Sequence, residues 1–271
     1  MNRTEWLLQK TKAVVRKGPA TLRNMLYARL NIWPVGRIDG ADLQKVPTYC
    51  ISLTRAHGKR RLMETQARGL GLEHFEFIDA VDARTLDRAA LLASGKLDDE
   101  TTLKFHAGVL TINEVACSLS HGLAYARIAE RGHPVALVLE DDALFMTRLV
   151  RRLRFADVPD DYDAVFLNTF LLHDPPRGHR VGPIYDDTSY NGSGAAYLLS
   201  ARGAQKLAAA CLPVVHAADG LLGRCLELAP GATHAFRQRG ATTTLRGYIA
   251  YPDCVLNGST SYYHVSEVQP R

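Results

Sequence analysis

Five uninterrupted apolar residues, Val135 to Leu139, run straight into three consecutive acids, Glu140, Asp141 and Asp142. An apolar run without polar alternation fits a strand buried on both faces, in a sheet covered by helices. Open α/β sheets place their ligand sites at the C-terminal ends of such strands. Three carboxylates in a row repel one another, and a compensating cation relieves that repulsion. The pattern points to a divalent metal site that grips a phosphorylated ligand. An acidic turn capping the next element is the competing account. Along an extended strand alternate residues share a face, so Glu140 and Asp142 would point together and Asp141 away.

The rest of the chain alternates strand and helix patterns. TYCISL from Thr48, FEFI from Phe75, DAVFL from Asp163 and AAYLL from Ala195 read as further strands. The basic stretch Arg55–Arg61 reads as a loop leading into a helix from about Leu62 to Arg68. Thr111 and Glu114 have the spacing of a capping box, opening a long helix to Arg131. Leu119, Leu123, Ala126 and Ile128 would lie on its buried side. Ser200 would cap a helix through about Ala210. Residues 171–190, with Pro175-Pro176 and Asp186-Asp187, read as a long exposed loop suited to substrate contacts. This order predicts an α/β domain with a mainly parallel central sheet flanked by helices.

With 271 residues, 46% of them hydrophobic, the chain can bury a full core. The net charge of +5 is modest, and residues 1–31 alone carry seven basic groups against one acid, Glu5. The remainder is near neutral, which argues against a nucleic-acid binder with a basic body. Residues 1–46 read as a basic amphipathic extension and 47–271 as the main domain. The extension could lie on an anionic membrane surface, such as the inner face of the cell membrane, through residues 1–31. It could equally pack on the domain with its basic face solvated. Five scattered cysteines without zinc-ligand spacing fit a reduced, cytoplasmic compartment. No apolar run is long enough to cross a membrane, and none near the start reads as a secretory segment. A phosphate-cradling loop with Lys-Ser/Thr is absent, and Gly192-Ser193-Gly194 precedes a strand, which argues against a P-loop kinase or ATPase.

The order of segments carries more than any single one. ISL at Ile51–Leu53 with its basic loop, FIDAVDART at Phe77–Thr85, LTINEVACSLSH at Leu110–His121, ALVLEDDALF at Ala136–Phe145 and SGAAYLLSARGAQKL at Ser193–Leu207 follow one another. In this order the chain resembles glycosyltransferase family 25, from about Thr48 to Tyr263. The resemblance implies a GT-A-like nucleotide-sugar-binding fold, a donor that is usually a UDP-hexose, and inversion at the anomeric carbon. It implies Mn²⁺ or Mg²⁺ held at the acidic triplet, with Asp142 the first choice as ligand. Glu140 would support the metal, and Glu140 and Asp141 would support it or bind the donor ribose. His264 would complete the metal shell or be an exposed tail residue. Leu53 and Arg55 fall on the donor side, with Arg60 or Arg61 as a phosphate or structural contact. His121 would meet the diphosphate or serve packing. Asp79 or Asp82 would meet uracil or ribose, or cap the next turn. Asp219 matches the position of a family aspartate and would be the catalytic base, or else the N-cap of a helix from Gly220 to Leu228.

Two departures stand out: Ala116 replaces the glycine usual before the cysteine of Cys-x-x-Ser-His, and Lys59-Arg60-Arg61 follows a loop one residue longer than usual. The expected partners are a nucleotide sugar and a glycan or glycolipid acceptor such as lipooligosaccharide or lipopolysaccharide. Two other classes share the residues: a non-catalytic nucleotide-sugar or carbohydrate-binding module, and a metal-dependent phosphohydrolase. Mutually repelling acids have no reason to persist in a retired site, and two-metal hydrolases need further His and Asp clusters.

Overall fold

The computed structural model describes residues 42–145, 158–168, 180–181, 184–185, 193–226, 240–250 and 254–258. The basic segment 1–31, most of the 171–190 loop and His264 lie outside the described residues. In chain order the strands are β1 (Thr48–Ser52), β2 (Phe75–Asp79), β3 (Val135–Glu140), β4 (Ala143–Phe145), β5 (Ala164–Phe166), β6 (Arg180–Val181), β7 (Ile184–Tyr185), β8 (Ala196–Ser200), β9 (Gly247–Ala250) and β10 (Val255–Asn257). The helices are α1 (His57–Leu70), α2 (Arg88–Ala93), α3 (Asp99–Phe105), α4 (Ile112–Arg131), α5 (Ala201–Ala210) and α6 (Ala218–Cys225).

The main sheet has the order β2-β1-β3-β8-β5-β9-β7-β6. From β2 to β9 only β8 runs against its neighbours, pairing antiparallel with β3 and β5. The result is the mixed α/β, mainly parallel sheet that the sequence predicts, compatible with a GT-A-like fold. β4 and β10 form a separate antiparallel pair. Within the stretch expected to be a loop, β6 and β7 extend the sheet edge.

The uninterrupted apolar strands are explained by two cores. Leu137 and Leu139 of β3 pack with Cys50 of β1 and with Met63, Ala67 and Leu70 of α1. Ala136 and Val138 point to the other face, against Tyr49, Ile51 and the α4 residues Ala124, Tyr125 and Ile128. Each fully buried Val or Leu contributes about 1.5–3 kcal/mol of transfer free energy. The first core also takes in Leu43 and Val46, each 3% exposed, beside the short 3₁₀ turn Asp42–Lys45. Among the described residues no helix is long and apolar enough to cross a membrane.

Two helices differ from the sequence expectation. α1 begins at His57, so most of the basic stretch is helix rather than loop. Leu123 is 48% exposed, and the buried positions of α4 include Ser118, Ser120 and His121 instead. Their polarity is satisfied across long sequence distances: Ser118 Oγ donates to the His216 carbonyl and Ser120 Oγ accepts from the Val81 amide.

The expected capping box at the start of α4 forms in full. Glu114 N donates to Thr111 Oγ1 at 3.2 Å, and Thr111 N donates to Glu114 Oε2 at 2.7 Å. Thr111→Ala is expected to cost about 1 kcal/mol, read as a lowered urea midpoint at unchanged m-value. A variant as stable as wild type would mean that packing alone holds the first turn.

Candidate functional site

β1, β2 and β3 run parallel, so their C-terminal ends open on the same edge of the sheet. A cleft of about 340 Å³ lies there, bordered by Leu53, Arg55, Lys59, Asp82, Cys117, His121, Glu140, Asp141 and Asp142, among others. Because β8 is antiparallel to β3, its first residues arrive where β3 ends: Glu140 N donates to the Ala195 carbonyl at 2.9 Å. Gly194 then lies against the site. A Cβ there would stand 3.2 Å from Glu140 Oε1 and 3.3 Å from His121 Cε1, so the missing side chain keeps the corner open.

The three acids have three environments. Glu140 turns toward α4, with Oε1 3.2 Å from His121 Nε2. Asp141 turns toward α1, accepting from Lys59 Nζ and Ser52 Oγ, each at 2.8 Å. Its charge is already neutralised by Lys59. Asp142 is 5% exposed, and no hydrogen bond from a described residue reaches its Oδ1. Its backbone is fixed by Gly258 N, which donates to the Asp142 carbonyl at 2.8 Å beside the β4–β10 pair. A divalent cation fits this donor set: Asp142 and Glu140 bring hard carboxylate oxygens to one cleft, while Asp141 is engaged elsewhere.

The other predicted residues divide. Asp82 lines the cleft, caps the turn Ala83–Thr85 and binds both Arg84 and Arg55, the latter at 3.0 Å. Those contacts, Arg84 foremost, hold its carboxyl well below the usual range. Arg60 engages the strand ends rather than the acidic triplet. Its guanidinium donates to the Leu53 carbonyl at 3.1 Å and the Ser52 carbonyl at 2.8 Å, pairs with Asp79, and stacks over Phe77. It fastens the end of β1 to β2. Arg61 is exposed on α1. Of Lys59, Arg60 and Arg61, it is Lys59 that borders the cleft, together with Arg55.

Asp219 lies in the first turn of α6, whose N-cap is Ala217, so Asp219 is not the cap that the sequence allowed. Its Oδ1 accepts from the Gly220 amide at 2.8 Å. Burial raises its pKa first, Glu140 adds to the rise, and the Gly220 amide and His121 oppose it.

Lys59, Arg84, Asn113 and Cys117 belong to the cleft and were not picked out from sequence. Cys117 had a signal, since it precedes His121 by four residues on one helix and so shares its face. The Cys117 sulfur, a His121 ring nitrogen and a Glu140 oxygen all lie within 4.8 Å of one another. Burial drives the Cys117 thiol pKa well up, and Glu140, Asp219 and Asp142 push it further.

Sequence comparison fits this geometry. The family model described as "Glycosyltransferase family 25 (LPS biosynthesis protein)" matches residues 45–222, from the start of the first core to α6. Procollagen galactosyltransferase 1-A of Xenopus laevis is 30% identical over 169 residues, 59% of this chain and 27% of that protein. A glycosyltransferase 25 family member of Aedes aegypti is 31% identical over 169 residues, with the same coverage of 59% and 27%. Procollagen galactosyltransferase 1 of Danio rerio is 32% identical over 144 residues, 49% of this chain and 23% of that protein. The chain thus spans about a quarter of the length of these curated relatives. The matched segment holds every acid of the cleft together with Asp219, and the chain belongs to glycosyltransferase family 25.

Proposed function

We propose that this chain is a metal-dependent, inverting hexosyltransferase that moves a sugar from a UDP-hexose to a hydroxyl of a glycan acceptor. The single observation that carries the reading is the cleft at the ends of β1–β3, where Asp142 and Glu140 stand beside Arg55 and Lys59. Family membership supports the reaction class, and the relatives named as galactosyltransferases favour a hexose.

In this reaction the acceptor oxygen bonds to the anomeric carbon as the bond to the diphosphate oxygen breaks. UDP leaves with that electron pair, and the acceptor proton passes to the Asp219 carboxylate. A divalent cation held by Asp142 and Glu140 would neutralise the charge developing on the leaving diphosphate. Asp82, held ionised by Arg84 and Arg55, would accept hydrogen bonds from the ribose or base. Lys59 and Ser52 hold Asp141 in place at the floor of the cleft. The acceptor in this reading is a surface glycan precursor of the lipooligosaccharide or lipopolysaccharide kind, met at the inner face of the membrane. The basic segment 1–31 would draw the enzyme to that surface, each Lys or Arg near it worth about 1 kcal/mol.

Calorimetry of UDP binding, with and without Mn²⁺, tests the donor site. Wild type is expected to bind UDP more tightly with Mn²⁺, and Asp142→Ala to lose that gain while keeping its fold by circular dichroism. Metal-independent UDP binding, or an unaltered gain in Asp142→Ala, would sink the metal assignment.

A further inference from the structure

One wall of the cleft is chemically unlike the rest. Cys117 and His121 stand one turn apart on α4 and β3 brings Glu140 to them, so sulfur, nitrogen and oxygen donors converge within 4.8 Å. The geometry points to a binding site for a borderline-soft divalent cation, Zn²⁺ by preference, formed by Cys117 Sγ, His121 Nε2 and Glu140 Oε1 and distinct from the oxygen-ligand position at Asp142.

Three observations carry it. The first is spacing: Nε2 and Oε1 are 3.2 Å apart, and two ligands on a tetrahedral zinc at ordinary bond lengths lie about 3.3–3.6 Å apart. The thiol needs to close by only about an ångström to complete the set.

The second is the state of the histidine. His121 is 1% exposed and its Nδ1 lies 2.7 Å from Tyr197 Oη, which lies 3.2 Å from Tyr125 Oη. With Tyr197 donating to Tyr125, the Tyr197 oxygen can accept from Nδ1–H, and in that tautomer Nε2 presents its lone pair to a cation beside Glu140. Without a cation the other tautomer donates Nε2–H to Glu140; a cation between the two groups replaces that one hydrogen bond with two bonds. Metal-binding histidines are held in this manner, the second ring N–H donated to a fixed acceptor.

The third is room. A side chain at Gly194 would crowd both Glu140 Oε1 and His121 Cε1, and Cys117, His121 and Glu140 all border the open cleft. A fourth position is therefore accessible from the cleft. Thiolate and imidazole select zinc or cobalt over magnesium and manganese. On binding, the Cys117 S–H bond breaks, the sulfur lone pair bonds to the metal, and the proton goes to solvent. Where the donor-site reading also holds, Zn²⁺ competes with Mn²⁺ for the shared Glu140.

The test is titration of the full chain with Co²⁺ alone, followed by visible and near-ultraviolet absorption. Wild type is expected to develop a thiolate-to-cobalt charge-transfer band that saturates at one equivalent and is abolished by Zn²⁺. Cys117→Ser should remove the band, whereas Cys211→Ser and Asp142→Asn should keep it. Tyr197→Phe should weaken Co²⁺ affinity about 10–100-fold. A wild type without the band, or a band that persists in Cys117→Ser, overturns the inference. No nucleotide enters the experiment, so its outcome is independent of whether UDP binds.

Discussion

Asp219→Asn is expected to lower kcat about 10²–10⁴-fold while leaving the affinity for UDP and Mn²⁺ unchanged. Asparagine keeps the shape of the side chain and the bond from the Gly220 amide, so α6 should stay seated. What it removes is the capacity to take a proton from the acceptor hydroxyl. The pH profile adds a second signature. Burial and Glu140 raise the Asp219 pKa above the ordinary carboxylate value. A raised pKa keeps the group protonated to higher pH, and a protonated carboxyl cannot act as a base. Wild-type kcat/KM should therefore rise with pH through a value above the usual aspartate range and then level off. The asparagine variant should lack that rise. Unchanged kcat, or the same rise in Asp219→Asn, would assign the proton to another acceptor.

Much of the frame was legible because its signals are local. β1 and β3 are continuous apolar runs since both faces are covered, and the Thr111–Glu114 box sets the start of α4 within four residues. The buried face of α4 was not, because burial there follows partners from far along the chain. Ser118, Ser120 and His121 enter the interior only because His216, Val81 and Tyr197 supply hydrogen bonds. Leu123, apolar but 48% exposed, has no such tie to the interior among the described residues. The start of α1 at His57 escapes the sequence pattern for a related reason. Its basic residues are held by strand-end carbonyls and acids, contacts that no periodicity reports.

At the site, the acidic triplet announced itself through the oddity of three acids after a buried strand. The division of labour within it did not. Lys59 reaches Asp141 across 82 positions and His121 faces Glu140 across 19, and both meetings depend on how the helices sit over the sheet. The antiparallel entry of β8 likewise leaves no local trace, yet it brings Gly194 to the corner between Glu140 and His121.

That dependence of the site on helix seating leads to the second large effect, Gly203→Ala, expected to destabilise the domain by about 3 kcal/mol. A Cβ at Gly203 would fall 2.2 Å from the Asp163 carbonyl oxygen and 2.9 Å from its carbon, both backbone atoms. Asp163 cannot retreat easily. Its amide donates to the Arg246 carbonyl at 2.8 Å, and its buried carboxylate accepts from Arg202, Lys206 and the Arg246 amide at 2.6, 2.7 and 2.8 Å. The strain must therefore move α5, and α5 follows directly from β8, which borders β3 and the Glu140 corner. Gly247→Ala makes the comparison. Its nearest contact, Leu226 Cδ2 at 2.3 Å, is the end of a side chain that can rotate, so about 1 kcal/mol is expected there. Chemical denaturation of the two variants separates backbone from side-chain crowding. With roughly 2–4 °C per kcal/mol for a domain of this size, Gly203→Ala should melt several degrees below Gly247→Ala. It should also raise KM for the donor, as Glu140 shifts with the strand beside it. Equal melting points would mean that the Asp163 loop gives way despite its four anchors, and that α5 does not set the position of Glu140.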